Sequence, residues 1–117
     1  MAISEVTNSS SGTSISTTEY SILNASTSLS PSTTSGVYQI FLDLTNMVAG
    51  DQYRLRVYEK IISGGTQRVL YEPIFTDAQL QALVALPTLI LMWGWDVTLK
   101  RLAGSDRSIG WSIRRVA

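Results

Sequence analysis

Cysteine and histidine are both absent from this chain of 117 residues. Without cysteine there are no disulfides and no thiolate metal sites. Without histidine, the commonest general base and the commonest metal ligand are missing together. Lysine and arginine are absent from the first 53 residues, and all nine basic residues follow from Arg54 onward. The longest apolar run, Ala82 to Trp93, is interrupted by Pro87 and Thr88 and is too short to span a bilayer. Met1 is followed by a polar stretch with neither the positive region nor the apolar region that directs export. Secretion and membrane insertion are therefore not expected. No GxGxxG, Walker or DxDxDG pattern occurs.

What the chain does contain is unevenly distributed. Serine and threonine make up more than half of residues 1–35. Glu5, Glu19, Asp43 and Asp51 give the first 53 residues a net charge of −4, and nine basic against five acidic side chains give the remainder +4. A neutral total argues against general nucleic-acid binding, which needs many phosphate contacts. The asymmetry allows the acidic half of one copy to meet the basic half of another, unless these are simply solvated charges. A chain of this length makes one domain that buries roughly two thirds of its unfolded surface.

Residues 1–18 are polar, with isolated apolar positions at Ile3, Val6 and Ile15. Low hydrophobicity makes the segment a poor core former, so it reads either as a flexible tail or as an extended arm. β-branched Thr and Ile favour the second wherever a neighbouring surface supplies backbone partners. A β domain over residues 19–117 follows. Short strands are predicted at Tyr20–Leu23 and Ser26–Leu29, then a clear one from Gly36 to Leu44 with Tyr38, Ile40, Leu42 and Leu44 on its core face. Phe41 on the more polar face is the exception and a candidate interface residue. The next strand spans Gln52–Ser63, Gly64-Gly65 supplies a tight hairpin, and Thr66–Phe75 returns. Pro73 sends that return strand to an edge or a bulge. Thr76 and Gln79 fit a capping box, which predicts a short helix over Asp77–Ala85. Thr88–Arg101 reads as one central strand with Trp93 and Trp95 on the face of Leu91 and Val97, hence in the core, and Gly94 as a bulge or close approach. Ile109–Val116 is the last strand. The expected fold is all-β, an antiparallel jelly-roll-like sandwich with one short helix and an extended N-terminal arm.

No catalytic constellation emerges. Asp43 and Asp51 flank one loop and Asp96 and Asp106 another, positions where aspartate ordinarily accepts local hydrogen bonds. Trp111, between Gly110 and Ser112, is the better candidate for a surface or interface tryptophan. Arg114 and Arg115, with Lys100, Arg101 and Arg107, form a basic stripe that either meets an acidic partner or is a solvated face.

In Gly36-Val-Tyr-Gln-Ile-Phe-Leu-Asp-Leu44, the Asp51-to-Lys60 strand, Gly65-Thr-Gln-Arg68, Gly94-Trp95-Asp96-Val-Thr-Leu99 and Gly104-Ser-Asp-Arg-Ser-Ile-Gly-Trp-Ser-Ile-Arg114, the chain resembles the small β-sandwich decoration (cement) proteins of tailed-bacteriophage capsids. The resemblance implies a virion protein with no catalytic residues, cofactor or metal. Such a protein sits on the outside of the shell of major capsid protein, commonly as a trimer, and staples neighbouring capsomers. Ile3, Val6 and Ile15 would anchor the arm, with Phe41, Trp111, Arg114 and Arg115 as further contact residues. A carbohydrate-binding or structural module of the tail apparatus is the rival expectation.

Overall fold

The computed structural model describes residues 2–116, the side chains of Ser10 and Ser11 excepted; Met1 of the expected arm and Ala117 of the expected domain lie outside that range. In chain order the strands are β1 (Ile3–Ile15), β2 (Tyr20–Ser21), β3 (Gly36–Asp43), β4 (Gln52–Glu59) and β5 (Arg68–Tyr71). They continue as β6 (Ile74–Thr76), β7 (Leu83–Ala85), β8 (Leu89–Leu91), β9 (Asp96–Ala103) and β10 (Arg107–Val116). Two antiparallel sheets result. Sheet one runs β1-β10-β3, with β7 and β8 sharing the far side of β3; sheet two runs β2-β9-β4, with β5 and β6 sharing the far side of β4.

The period-two patterns become buried faces. Tyr38, Ile40 and Leu42 of β3 and Ile109, Trp111 and Ile113 of β10 point inward from sheet one. Tyr53, Leu55 and Val57 of β4 meet them from sheet two, with Val97 and Leu99 of β9. Each such side chain contributes roughly 1.5–3 kcal/mol by leaving water.

The leader is extended but does not stand apart. Ile3–Ile15 lies antiparallel along β10 as the outermost strand of sheet one, with irregularities at Glu5/Thr7 and Ser9/Thr13. Its backbone groups find partners on β10, and Ile15 is completely buried in the core. Ile3–Ile15 therefore shares a sheet with β10 and, through Ile15, the core of the strands that follow.

Other expectations are corrected. There is no helix among the described residues. Asp77 adopts a left-handed φ of 64° and accepts a hydrogen bond from the Gly50 amide. Gln79 donates to the Thr76 and Asp77 carbonyls instead of capping amides, and Leu83–Ala85 pairs with β3. The Thr88–Arg101 segment is two strands in different sheets, because the chain crosses the sandwich at Met92–Trp95. Glu59 holds the crossover by accepting from the Met92 amide at 2.7 Å and the Trp93 amide at 3.3 Å. Gly94, at φ 141°, passes close over Lys60. Trp95 is buried, but Trp93 on the crossover is 38% exposed rather than in the core. The Gly64-Gly65 turn sits inside a longer loop spanning residues 60–67. As the proline predicts, β5 and β6 lie at an edge, broken between Tyr71 and Ile74, with a bulge opposite at Val57/Tyr58.

Candidate functional site

The outward face of sheet one holds a groove of about 620 Å³. Alternation builds it. With Trp111 and Ile113 turned inward, Gly110, Ser112 and Arg114 face out; with Ile40 and Leu42 inward, Phe41 and Asp43 face out beside them. Gly110 opens the floor: a Cβ there would come within 3.0 Å of the Ser9 carbonyl oxygen. Leu83 and Ala85 of β7 form one wall, and Glu5 and Asn8 of β1 the other.

The polar groups of the groove are already ordered among themselves. Register sets Glu5 opposite Arg114 and Asn8 opposite Ser112. Ser112 Oγ donates to Glu5 Oε2 at 2.5 Å, and Asn8 Nδ2 donates to Glu5 Oε1 at 2.6 Å. These two bonds, with the Arg114 charge nearby, outweigh desolvation and hold the Glu5 carboxyl below its ordinary pKa. Arg114 Nε reaches Ser112 Oγ at 3.3 Å, and its guanidinium carbon lies 4.0 Å from the centre of the Phe41 ring. Such a cation–π contact is worth about 0.5–1 kcal/mol at an exposed site. A second concavity of about 240 Å³ adjoins, sharing Phe41 and Arg114 and otherwise lined mainly by Ile3, Val37, Thr88 and Val116. The face thus joins a groove of ordered polar groups between apolar walls to an apolar hollow across one Arg–Phe pair.

Of the residues singled out from sequence, Ile3, Phe41 and Arg114 come together here, with Ile3 74% exposed. Val6 is exposed at the first β1 irregularity. Ile15 does not join them, being a core residue. Trp111 is only 5% exposed: its ring turns inward against Tyr20, at 5.8 Å between centroids, and only its strand position borders the groove. Arg115 bonds the Ser35 carbonyl through Nη2 at 2.6 Å and Nε at 3.1 Å, fastening the approach to β3. Glu5, Asn8, Asp43, Leu83 and Ser112 were not foreseen. The opposite charges on β1 and β10 were a usable hint for Glu5; nothing local marked the rest.

Elsewhere, polar groups fasten segments. Glu19 Oε2 accepts from Tyr58 at 2.6 Å and from Thr98 at 2.5 Å. Burial opposes its charge, but those bonds and the nearby Arg56 and Arg54 prevail and lower its pKa. Asp96, buried under residues 20–24, accepts from Ser21 Oγ at 2.6 Å. Among the described residues no cluster of three or more Asp or Glu offers a metal site, and no helix is long and apolar enough to cross a membrane. No protein-family model, curated protein or solved structure matches the chain.

Proposed function

We propose that this chain is a non-enzymatic structural protein of a tailed-phage virion, a decoration protein that docks on the outer surface of the major capsid protein shell and stabilises capsomer joints. It carries no cofactor, and its partners are the shell and further copies of itself, with a trimer favoured. Neither nucleic acid nor membrane is a partner. The observation that carries this reading is the outward face of sheet one, where exposed Ile3 and the Phe41–Arg114 pair flank an apolar hollow and a groove of mixed lining whose polar groups are already ordered. Rigid, mixed surfaces of this kind suit protein contact: apolar anchors give affinity, and ordered charges set register. Many copies on one shell convert modest individual affinity into lasting attachment.

A jelly-roll fold belongs to the same proposal. Its support is strand order. If β5 with β6, and β7 with β8, are each one broken strand, the sheets follow the chain as first-eighth-third-sixth and second-seventh-fourth-fifth.

The test is co-sedimentation with empty, expanded shells. Phe41→Ala and Arg114→Glu should each weaken binding by about tenfold or more while thermal melts stay close to the unaltered protein. Full-strength binding by both variants rejects this face, and no binding by the unaltered protein rejects the capsid role. The groove's Glu5, Asn8, Asp43 and Arg114 also favour a second reading, a carbohydrate-binding module of the tail apparatus. Calorimetric titration with host polysaccharide decides between them: heat of binding lost in Asn8→Ala supports the second.

A further inference from the structure

The outermost strand of sheet one is built as two unlike pieces. Between the Ser9↔Trp111 and Thr13↔Ile109 pairs the register slips, and Gly12 turns there through a left-handed φ of 83°. After this break, the strand ends in the fully buried Ile15. Before it, Ile3–Ser9 places no side chain in the core. Ser4, Thr7 and Ser9 lie opposite Arg115, Ile113 and Trp111, the positions of β10 that alternate toward the core. Small hydroxyl side chains thus stand where β3 carries Tyr38, Ile40 and Leu42. The two apolar residues of the first piece, Ile3 and Val6, are 74% and 41% exposed.

Backbone pairing with β10 and a single side-chain clip hold this piece. Among the described residues, the Ser112 Oγ to Glu5 Oε2 bond is the only side-chain hydrogen bond between Ile3–Ser9 and another strand. The Asn8–Glu5 and Ser9–Thr13 bonds stay within β1. Arg114, opposite Glu5, adds its charge. Pairing without apolar burial holds an edge weakly. Released amides and carbonyls regain water, and the freed residues regain backbone entropy, so little opposes opening. Segments of this kind open locally at far less cost than the whole domain.

The same piece builds one side of the groove. Glu5, Asn8 and Ser9 line it, and the Ser9 carbonyl oxygen lies over Gly110. Lifting the piece removes that wall, bares the outer edge of β10, and takes the carboxylate away from Ser112 and Arg114. We infer that Ile3–Ser9 is a releasable strap, hinged at residues 9–13 and clipped by Glu5, which opens independently of the sandwich and completes the outward face of sheet one only when closed. Its role as a gate rests on the proposal that this face docks on a shell. The opening itself does not, and the isolated chain tests it alone.

Hydrogen exchange of the isolated full chain is the experiment. Amides of Ile3–Ser9 that pair with β10 should exchange at least about 100-fold faster than those of β4 and with little dependence on urea, while Ile15 should exchange with β4. Glu5→Gln and Ser112→Ala should each speed the strap about tenfold and leave β4 unchanged. Strap amides that exchange only with β4 overturn the inference. A strap indifferent to both variants overturns the clip, and an Ile15 amide as fast as the strap overturns the hinge. On shells, the strap amides should slow, because binding selects the closed form. Unchanged strap exchange in a shell-bound chain overturns the gate, whereas a chain that binds no shell at all rejects the capsid role and leaves the opening standing.

Discussion

Asp51 and Arg107, 56 positions apart in the chain, meet through an Nε–Oδ2 hydrogen bond of 2.8 Å where the turns before β4 and β10 converge. The Asp51 carboxylate is buried and also accepts from the Val48 amide at 3.0 Å and the Ser105 amide at 3.2 Å. Its carbonyl accepts from the Asp77 amide. One residue, through its side chain and its carbonyl, therefore ties together the turns between β3 and β4, β9 and β10, and β6 and β7.

Replacing Asp51 should be costly. Asp51→Ala leaves two amides and a guanidinium without their acceptor, and a loss of about 2–3 kcal/mol in urea unfolding is expected. The bonds from Arg107 and Val48 lead the causes that outweigh burial and depress the Asp51 pKa. Its stabilisation is therefore complete above the unfolded carboxylate value of about 3.9 and lost as pH falls through the lower folded value. The stability gap between the unaltered protein and Asp51→Asn should narrow on acidification; a gap constant with pH contradicts this.

Gly104 has a related role. It sits at φ 87°, and a Cβ there would overlap the Asp51 carboxylate. Gly104→Ala should cost clearly more than the roughly 1 kcal/mol of a left-handed alanine in open space. Gly50→Ala, at φ 92° with nothing within 4 Å, supplies that reference. Equal melting temperatures for the two variants would show that the turn relaxes freely.

Asp96 should titrate in the opposite sense. Burial, the largest influence, raises its pKa; Ser21 and the Val97 amide oppose this, and the Glu19 charge reinforces it. Its contribution to stability is fully present below about 3.9 and lost as pH rises through the raised folded value. Carboxyl carbon shifts in NMR should place Asp96 above and Asp51 below the ordinary aspartate range. A shared midpoint for the two would remove the basis for both pH predictions.

The leader cannot be trimmed without consequence. Ile15→Ala empties part of the core and should destabilise by about 2–5 kcal/mol. Deleting residues 2–18 removes that side chain and bares the β10 edge, so the truncated protein should melt earlier and expose dye-binding apolar surface. A truncated chain with unchanged melting would mean that β1 contributes nothing to the sandwich.

Period-two alternation in Gly36–Leu44 was enough to assign the inward face of β3, because a strand with one buried face must write that face into every second residue. All-β character and the edge position of the Pro73 strand were legible for similarly local reasons. Partners were not. The Asp77–Ala85 helix rested on a capping pattern that a left-handed Asp77 pre-empted, and the Thr88–Arg101 strand on an alternation that Gly94 divides between two sheets. Trp93 and Trp111 exchanged places with expectation for that reason: whether an alternating residue faces water depends on which sheet it joins and what covers it. The outward face of sheet one followed the same division. Phe41 stood out as apolar on a polar face, but its guanidinium lid and the Glu5–Ser112–Asn8 network exist only because β1 and β3 take opposite sides of β10, a register set by long-range pairing.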